Sequence, residues 1–346
     1  MSQSVAIYAL TAAGAESGRR LRPALGDGAR LFLPERMARS GEGETAFVRL
    51  APALAANWAG FDGHVLFAAA GIVVRALAGL LQDKASDPAV VVCDPEGRFA
   101  VSLLAGHLGG ANDLARRVAT ALGGQAVITT ATDNAGLPSL ELVAAAAGLR
   151  VENLKALAGV SAALLDGRSV AIDDPEDWLA SRLAKDWPGR FPAAGPEAGP
   201  AVGVDWRARP PRPGELLLRP PALWLGLGCN RGTAATEMDE LLARVLAEAG
   251  LCPLALAGLA SATAKSDEAG LLALARARGL ETRFYDAQTL DAVAVPNPSD
   301  QPRRHLGTRS VAEAAALLAA GPGGRLVVEK RKTCNVTLAV AWGRGR

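Results

Sequence analysis

The residues best suited to chemistry lie in two neighbouring segments, Asp-Pro-Glu-Gly-Arg at 94–98 and Gly-His-Leu-Gly-Gly-Ala-Asn-Asp at 106–113. His107 is a candidate proton carrier, because an imidazole titrates near neutral pH. A helix that starts after the glycines has free N–H groups, which could bind a carboxylate or a phosphate. The segment is otherwise a glycine-rich turn with a structural histidine, in which Asn112 or Asp113 caps the helix. The glycines that allow close backbone approach are Gly106, Gly109 and Gly110.

Two carboxylates follow predicted strands near this segment. Asp94 directly follows the apolar run at 89–93, and Asp133 ends the stretch Ile-Thr-Thr-Ala-Thr-Asp. If all strands are parallel, we expect Asp94, Asp133 and His107 to share one edge of the sheet, where α/β proteins bind ligands. Two carboxylates and an imidazole in one place suit general acid–base catalysis. The competing interpretation is that Thr132 and Asp133 cap the next helix.

In the last third, Leu-Gly-Leu-Gly-Cys-Asn-Arg-Gly-Thr at 225–233 joins a predicted strand to a predicted helix. Its glycine spacing is GxGxxxG, and the strand-like stretch at 254–261 ends without the acid that would bind a ribose, so a dinucleotide site is disfavoured. Cys229 has no histidine near it in sequence, which favours a buried structural thiol over a nucleophile. The pattern favours an anion site at the helix start. Its candidate residues are Arg231, Gly232 and Thr233.

Four more charged residues have two interpretations each. Lys265 and Glu268 either pair with each other or both face a ligand. Lys330 lies in a basic stretch that either binds an anion or forms an ordinary hairpin turn. Arg75 follows an apolar run and either reaches an anionic ligand or flanks the core.

The composition narrows the class of protein. The chain has 346 residues and a net charge of +2, which predicts no general attraction to nucleic acid or membrane. Its four cysteines lie far apart, so we expect reduced thiols in the cytoplasm and no disulfide scaffold. Three widely spaced histidines without a cysteine cluster argue against a protein-bound zinc site.

The elements that must position these residues alternate between strands and helices, which predicts parallel sheets with helices on both faces. Strands are predicted at 4–10, 30–33, 65–70, 89–93, 126–129, 222–227, 281–285, 325–328 and 336–342. Helices are predicted at 71–81, 110–122, 233–251, 271–279 and 310–320. The fold class is therefore predicted to be α/β, with two Rossmann-like parallel-sheet domains, 1–137 and 222–346. They flank a small, poorly marked middle region at 138–221, with helical character over 140–185 and a Pro/Gly-rich linker over 188–221. Within this linker, 201–205 is a candidate short strand.

Taken together and in this order, these segments resemble the CbiG family of cobalamin (vitamin B12) biosynthesis. The last third also resembles CobE. The chain departs from the family at Ala262 and Thr263, where an Ile-Asp pair is usual, and at Pro95, which replaces a residue that is often acidic. The stretches that carry the resemblance are GIVVR (71–75), DKASDPAVVVCDPEGRF (83–99), SLLAGHLGGANDLA (102–115), VITTATD (127–133), LGLGCNRGT (225–233), SATAKSDEAGL (261–271) and SVAEAAALLAAG (310–321), with the basic stretch at Lys330.

The resemblance implies a cobalt-precorrin-5A hydrolase that opens a δ-lactone and releases acetaldehyde. It implies no protein-bound cofactor, since the substrate carries the cobalt, and cobalt-precorrin-5A and water as partners. Contact with other enzymes of the pathway stays open. So do two alternatives, a non-catalytic tetrapyrrole carrier and a nucleotide-dependent Rossmann enzyme.

Under this hypothesis, the water that attacks the substrate is activated by His107, Asp94 or Asp133. The substrate would be bound by Arg75, Arg98, Gly106, Gly109, Gly110, Asn112, Thr132, Arg231, Gly232, Thr233, Lys265, Glu268 and Lys330.

Overall fold

The computed structural model describes residues 3–39, 43–83, 86–107, 109–195, 199–298 and 311–344. The chain divides into two compact units, Met1–Leu142 and Val143–Arg346. The second unit contains most of the predicted middle region and all of the predicted last domain, and the division into three domains stays a prediction. Within the described ranges, no helix combines the length and the apolar character needed to cross a bilayer.

The first unit is built on one sheet of seven strands. These strands are β1 (Val5–Ala9), β2 (Ala29–Pro34), β3 (Glu44–Phe47), β4 (Gly63–Phe67), β5 (Ala89–Cys93), β6 (Phe99–Leu104) and β7 (Gln125–Val127). Their order across the sheet is β3-β2-β1-β4-β5-β6-β7. Strands β1 to β5 are parallel to one another. Strand β6 runs antiparallel to β5 and parallel to β7.

Helices cover both faces of this sheet. They are α1 (Ala12–Leu25), α2 (Leu50–Asn57), α3 (Ala70–Leu77), α4 (Ala111–Leu122), α5 (Ala131–Asn134) and α6 (Leu140–Ala146). On one face, α1 and α4 bury Leu21 and Leu114 in a shared apolar core. On the other face, α2 and α3 bury Leu54 and Val73. Every residue of β5 is buried, because a parallel strand with helices on both sides faces the core in both directions.

The reversal at β6 corrects the predicted arrangement of the carboxylates. Val90 pairs with Leu104 and Cys93 with Ala100, so β6 ends beside the start of β5. Asp94 therefore lies at one end of the sheet, and the segment after β6 lies at the other. The expectation that Asp94 shares an edge with His107 and Asp133 is wrong, because it assumed that all strands are parallel.

The second unit begins with a four-stranded sheet, of which the sequence indicated only the short strand at 201–205. Its strands are β8 (Arg150–Val151), β9 (Ala171–Asp173), β10 (Ala201–Val204) and β11 (Glu215–Arg219), in the order β8-β11-β10-β9, with helices α7 (Ala156–Leu165) and α8 (Ala180–Asp186). The predicted helical segment at 140–185 thus contains two strands. The predicted linker at 188–221 is wrong at β11, where Leu216, Leu217 and Leu218 are fully buried.

The rest of this unit is a five-stranded sheet in the order β14-β13-β12-β16-β15. Its elements are β12 (Leu223–Cys229), α9 (Ala235–Glu248), β13 (Leu256–Ala262), α10 (Ala269–Arg278), β14 (Glu281–Tyr285), α11 (Ala287–Asp291), α12 (Ala312–Ala320), β15 (Arg325–Lys332) and β16 (Val336–Trp342). Strands β12, β13 and β14 are parallel, whereas β16 is antiparallel to both β12 and β15. The α/β class is confirmed, although β16 runs antiparallel to the other four strands of this sheet. Ser310, the first residue of a predicted helix, lies outside the described residues.

Close packing of α12 on this sheet depends on small residues. Gly226 faces the helix, and a Cβ atom there would lie 1.8 Å from the Ala312 carbonyl oxygen. Most of the helix side chains are buried alanines. The absence of bulk on both surfaces lets the helix backbone approach the strand directly.

Candidate active site

The first unit holds His107 between two carboxylates. His107 Nδ1 lies 2.8 Å from Glu141 Oε1, and Nε2 lies 2.9 Å from Asp133 Oδ2. The side chains of His107 and Glu141 are 11% and 4% exposed, and that of Asp133 is 22% exposed. His107 follows β6, and Asp133 lies in α5, just after β7. Because β6 and β7 are parallel, the segments that follow them meet at the same end of the sheet.

Asn112, at the start of α4, fixes Asp133 in this position. Its Nδ2 atom donates to Asp133 Oδ2 at 2.9 Å and to Thr130 Oγ1 at 3.1 Å. Its Oδ1 atom accepts a hydrogen bond from Ser102 Oγ at 2.7 Å. Since Asn112 is almost completely buried, these bonds satisfy a side chain that would be costly to bury without partners.

Two further side chains complete the cluster. The guanidinium of Arg116 donates to Asp133 Oδ1 at 2.7 Å and is half exposed. Thr132 Oγ1 lies 3.4 Å from His107 Nε2. Arg116 is the cation of the cluster that solvent reaches, so the open side of the site lies near Asp133 and the buried side near Glu141.

The loop before α4 is tightly wound. Ala105 has a φ of 55°, and Gly110 has a φ of 83°. A Cβ atom on Gly109 would lie 2.3 Å from that of Ala105, and one on Gly106 would lie 2.8 Å from Asn112 Oδ1. A non-glycine residue with positive φ is uncommon, and such strain collects at functional sites.

The N–H groups at the start of α4 are already used within this loop. Gly110 donates to the His107 carbonyl at 2.8 Å, Ala111 to that of Ala105 at 3.1 Å, and Asn112 to that of Gly106 at 3.0 Å. The loop therefore fixes the imidazole in place. These three donors are not available to an anionic ligand in this conformation.

The electrostatics of the cluster follow from the hydrogen bonds. The hydrogen bond with Glu141 is the main cause of a raised pKa for His107, with help from Asp133, and together they outweigh burial. Burial alone would raise the pKa of Asp133, but the bonds from Arg116 and His107 hold it below its usual value. Burial alone would likewise raise the pKa of Glu141, but the hydrogen bond with His107 outweighs it, and the pKa of Glu141 is lowered.

The other residues predicted in the first unit lie elsewhere. Asp94 Oδ1 accepts a hydrogen bond from the Phe99 N–H at 2.7 Å, and Oδ2 accepts one from Arg98 Nε at 3.0 Å. This pair closes the turn between β5 and β6. Arg75 is exposed on α3, which packs on the opposite face of the sheet from α4.

The second unit brings its predicted residues together after the parallel strands β12 and β13. The Gly232 N–H donates to Glu268 Oε1 at 2.8 Å, and Lys265 Nζ lies 3.6 Å from Glu268 Oε2. Arg231 donates to Asp267 at 3.0 Å. The Thr233 hydroxyl donates to the Asn230 carbonyl at 2.8 Å. Each cation of this cluster therefore faces an acid of the same cluster.

The contacts of Lys330 and the burial of Cys229 indicate structural roles for both residues. Lys330 Nζ donates to the Asn297 carbonyl at 2.5 Å, and its backbone N–H donates to the fully buried Glu313 at 3.0 Å. Burial raises the pKa of the Cys229 thiol to about 11. A thiol with such a pKa is protonated at neutral pH and is a weak nucleophile.

Three family models match consecutive parts of the chain. "Cobalamin synthesis G N-terminal" matches residues 52–133, "Cobalamin biosynthesis central region" matches 138–220, and "Cobalamin synthesis G C-terminus" matches 223–341. The cobalt-precorrin-5A hydrolase of Priestia megaterium is 33% identical over 296 residues, covering 81% of this chain and 78% of that protein. The chain belongs to the CbiG family.

Two more relatives match different lengths of this CbiG chain. The cobalt-precorrin-5A hydrolase of Salmonella typhimurium is 34% identical over 296 residues, covering 81% of this chain and 82% of that protein. The protein CobE of Sinorhizobium sp is 42% identical over 121 residues, covering 34% of this chain and 79% of that protein.

Three residues of the site were not predicted from the sequence, namely Glu141, Ser102 and Arg116. Asp133 is the last residue matched by the CbiG N-terminal model, and Glu141 lies inside the central-region match. The cluster therefore spans two of the family models. One signal was available, since Glu141 is an acid in the apolar stretch Leu-Glu-Leu-Val, where a buried charge needs a partner.

Proposed function

We propose that this CbiG protein hydrolyses cobalt-precorrin-5A in cobalamin biosynthesis. Two relatives with that name match most of the chain at 33% and 34% identity. The observation that carries the proposal is the imidazole of His107 between the carboxylates of Asp133 and Glu141. A histidine with ionised partners in a mostly buried site supplies the proton transfers that hydrolysis requires.

The proposed reaction has two bond-breaking steps. Water adds to the carbonyl carbon of the δ-lactone, and the acyl–oxygen bond breaks to give a carboxylic acid and a secondary alcohol. The alcohol then loses its proton and becomes a carbonyl group as the adjacent carbon–carbon bond breaks, which releases acetaldehyde. The electron pair of that bond stays on the macrocycle, which takes up a proton. One water enters and no net oxidation occurs, so we propose no cofactor beyond the cobalt in the substrate.

The protein's part in this chemistry is proton transfer and orientation. Each step requires one proton to be removed and one to be delivered, and His107 and Asp133 form a hydrogen-bonded pair on the more exposed side of the cluster. We assign no chemical role to Asp94, since it lies at the other end of the sheet and holds a turn.

The second unit has a candidate carboxylate site of its own. Arg231 and Lys265 lie after neighbouring parallel strands, beside Asp267 and Glu268. We propose that a carboxylate ligand competes with these acids for the two cations, with Gly232 and Thr233 shaping the loop.

The direct test is to incubate the purified protein with cobalt-precorrin-5A and to measure acetaldehyde and cobalt-precorrin-5B. We expect the two products in equal amounts and multiple turnovers per protein. Tight binding of the substrate without product would contradict the proposal and would favour a tetrapyrrole carrier. A melting temperature that rises with nucleotides and not with the substrate would favour a nucleotide-dependent enzyme.

A further inference from the structure

The hydrogen bonds of His107 define its charge. A neutral imidazole has one N–H donor and one lone pair, whereas an ionised carboxylate only accepts hydrogen bonds. Both ring nitrogens of His107 face carboxylate oxygens, at 2.8 Å and 2.9 Å. A neutral ring would point its lone pair at the lone pairs of one of these oxygens. Only the imidazolium supplies a donor for each carboxylate.

The groups around the ring keep both carboxylates ionised. Glu141 faces the ring from α6 and Asp133 from α5, while Arg116 on α4 neutralises the far oxygen of Asp133. Asn112 donates a further hydrogen bond to Asp133. Thr132 contributes a hydroxyl, which can donate or accept. Both carboxyl pKa values are lowered despite burial, which agrees with ionised acids and with the imidazolium that the contacts require.

We propose that His107 rests as an imidazolium and enters the reaction as a proton donor, with Glu141 as the residue that positions it. This rests on the proposed function, and it specifies the direction of proton transfer. Glu141 is the more buried carboxylate and binds Nδ1, whereas Asp133 is more exposed and binds Nε2. The transferred proton is therefore the one on Nε2, on the open side of the site.

The proton balance of the first step is complete with these residues. As water adds to the lactone carbonyl, Asp133 Oδ2 accepts one proton of that water. The Nε2 proton then passes to the lactone ring oxygen as the acyl–oxygen bond breaks, while the Nδ1 proton stays on the bond to Glu141. The direct contact between Asp133 and His107 transfers the proton taken from water to Nε2, which restores the resting state.

The charge can be tested by nuclear magnetic resonance on the intact, isotope-labelled protein. The chain has only three histidines, and the His107 signals are those that disappear in His107→Gln. We expect both ring nitrogens to show imidazolium shifts at pH 7, and the ring to titrate above the ordinary histidine range. A neutral tautomer at pH 7 would overturn the inference. This measurement needs no substrate, and the variant serves only to assign the His107 signals.

The role of Glu141 is tested by Glu141→Gln, which removes the charge and keeps the shape. We expect the titration of His107 to move to lower pH. The matched control is Glu44→Gln, since Glu44 is a buried acid of the same unit that pairs with Arg19 instead. The control should leave the titration of His107 unchanged. An equal shift in both variants, or none in Glu141→Gln, would overturn the positioning role.

The pH dependence of turnover separates this inference from the proposed function. If His107 donates the proton, kcat/KM of the wild type falls as pH rises through the pKa measured by resonance. Glu141→Gln should move that fall to lower pH and reduce kcat at neutral pH by about 10-fold or more, with little change in KM. A rise in kcat/KM through the same pKa would make His107 a base and overturn the inference while the function stands. No acetaldehyde from the wild type would reject the function, and the resonance titration would still decide the charge.

Discussion

Two histidines of the first unit have opposite surroundings. His64 is 0% exposed, and its ring stacks on Trp58 with centroids 5.0 Å apart and lies 6.0 Å from the ring of Tyr8. Its polar contact is the Trp58 carbonyl, 3.3 Å from Nε2. Burial lowers the pKa of His64 to about 4. His107 is also mostly buried, but its two carboxylate partners raise its pKa.

The comparison teaches that burial alone does not decide the charge of a histidine. In an aromatic core, desolvation favours the neutral ring, and the residue serves packing. Between ionised acids, the cost of desolvating the charged ring is outweighed, because the imidazolium gains two charge-assisted hydrogen bonds. We therefore expect substitution of His64 to reduce stability and substitution of His107 to reduce turnover.

The largest expected effect is on turnover, in His107→Gln. The variant loses the proton that the ring carries, so we expect kcat to fall by ~10²–10⁴-fold, as for the loss of a general acid or base. The unfolding transition should change far less than kcat does. Steady-state kinetics and urea unfolding measure the two quantities. A kcat close to that of the wild type would remove His107 from the chemistry.

The next effect is a loss of stability in acid that comes from His64. Its pKa is about 4 in the folded protein and 6.5 as an ordinary side chain, which corresponds to about 3 kcal/mol of unfolding free energy. The unfolded chain binds the proton first, so this stability is lost as pH falls from about 6.5 to about 4. Urea unfolding of the wild type and of His64→Phe across this range measures the difference.

His107 contributes to stability with the opposite sign. Its pKa is raised in the folded protein, so its contribution is fully present below the ordinary histidine pKa. That contribution is lost as pH rises through the raised value.

Subtracting the His64→Phe curve from that of the wild type isolates the contribution of His64. If the two curves have the same slope between pH 6.5 and 4, His64 is not the group that titrates.

A smaller loss of turnover is expected for Asp133→Asn. The amide cannot accept a proton from water and no longer favours the imidazolium, although Glu141 still binds Nδ1. We expect kcat to fall by about 10²-fold, at the lower end of the range for acid–base groups, and the His107 pKa to fall as well. Kinetics and resonance on the same sample test both. A change in KM alone would limit Asp133 to substrate binding.

Much of the first sheet could be predicted because buried parallel strands are continuous apolar runs. The residues of β5, Ala-Val-Val-Val-Cys, are all buried, and the predicted bounds match the observed ones. Strand β6 was missed because Phe-Ala-Val-Ser-Leu-Leu is only partly buried and follows a turn with Gly97 at positive φ. Of the turn residues, Asp94 was interpreted as catalytic and Arg98 as a substrate contact. Local sequence did not show that the chain reverses there.

The site was predictable where neighbouring strand ends bring residues together. The proximity of His107 and Asp133 was expected from an all-parallel sheet, whereas in the structure it arises because β6 and β7 are parallel to each other and end at the same edge. Glu141 reaches His107 across 34 residues, from a helix that carries no motif. Such a contact depends on how α6 lies against the loop, which is a tertiary property that local pattern does not encode.

The smallest expected effect is that of Asp94→Asn. The amide oxygen can still accept the Phe99 N–H bond, and only the exposed pair with Arg98 is lost. We expect kcat and KM within about twofold of the wild type, since distant sites act independently. Asp94→Asn and Asp133→Asn remove the same charge from opposite ends of one sheet, so the ratio of their kcat values shows which end carries the chemistry. Equal losses in both would mean that the chemistry depends on the charge of the whole unit and not on the contacts of His107.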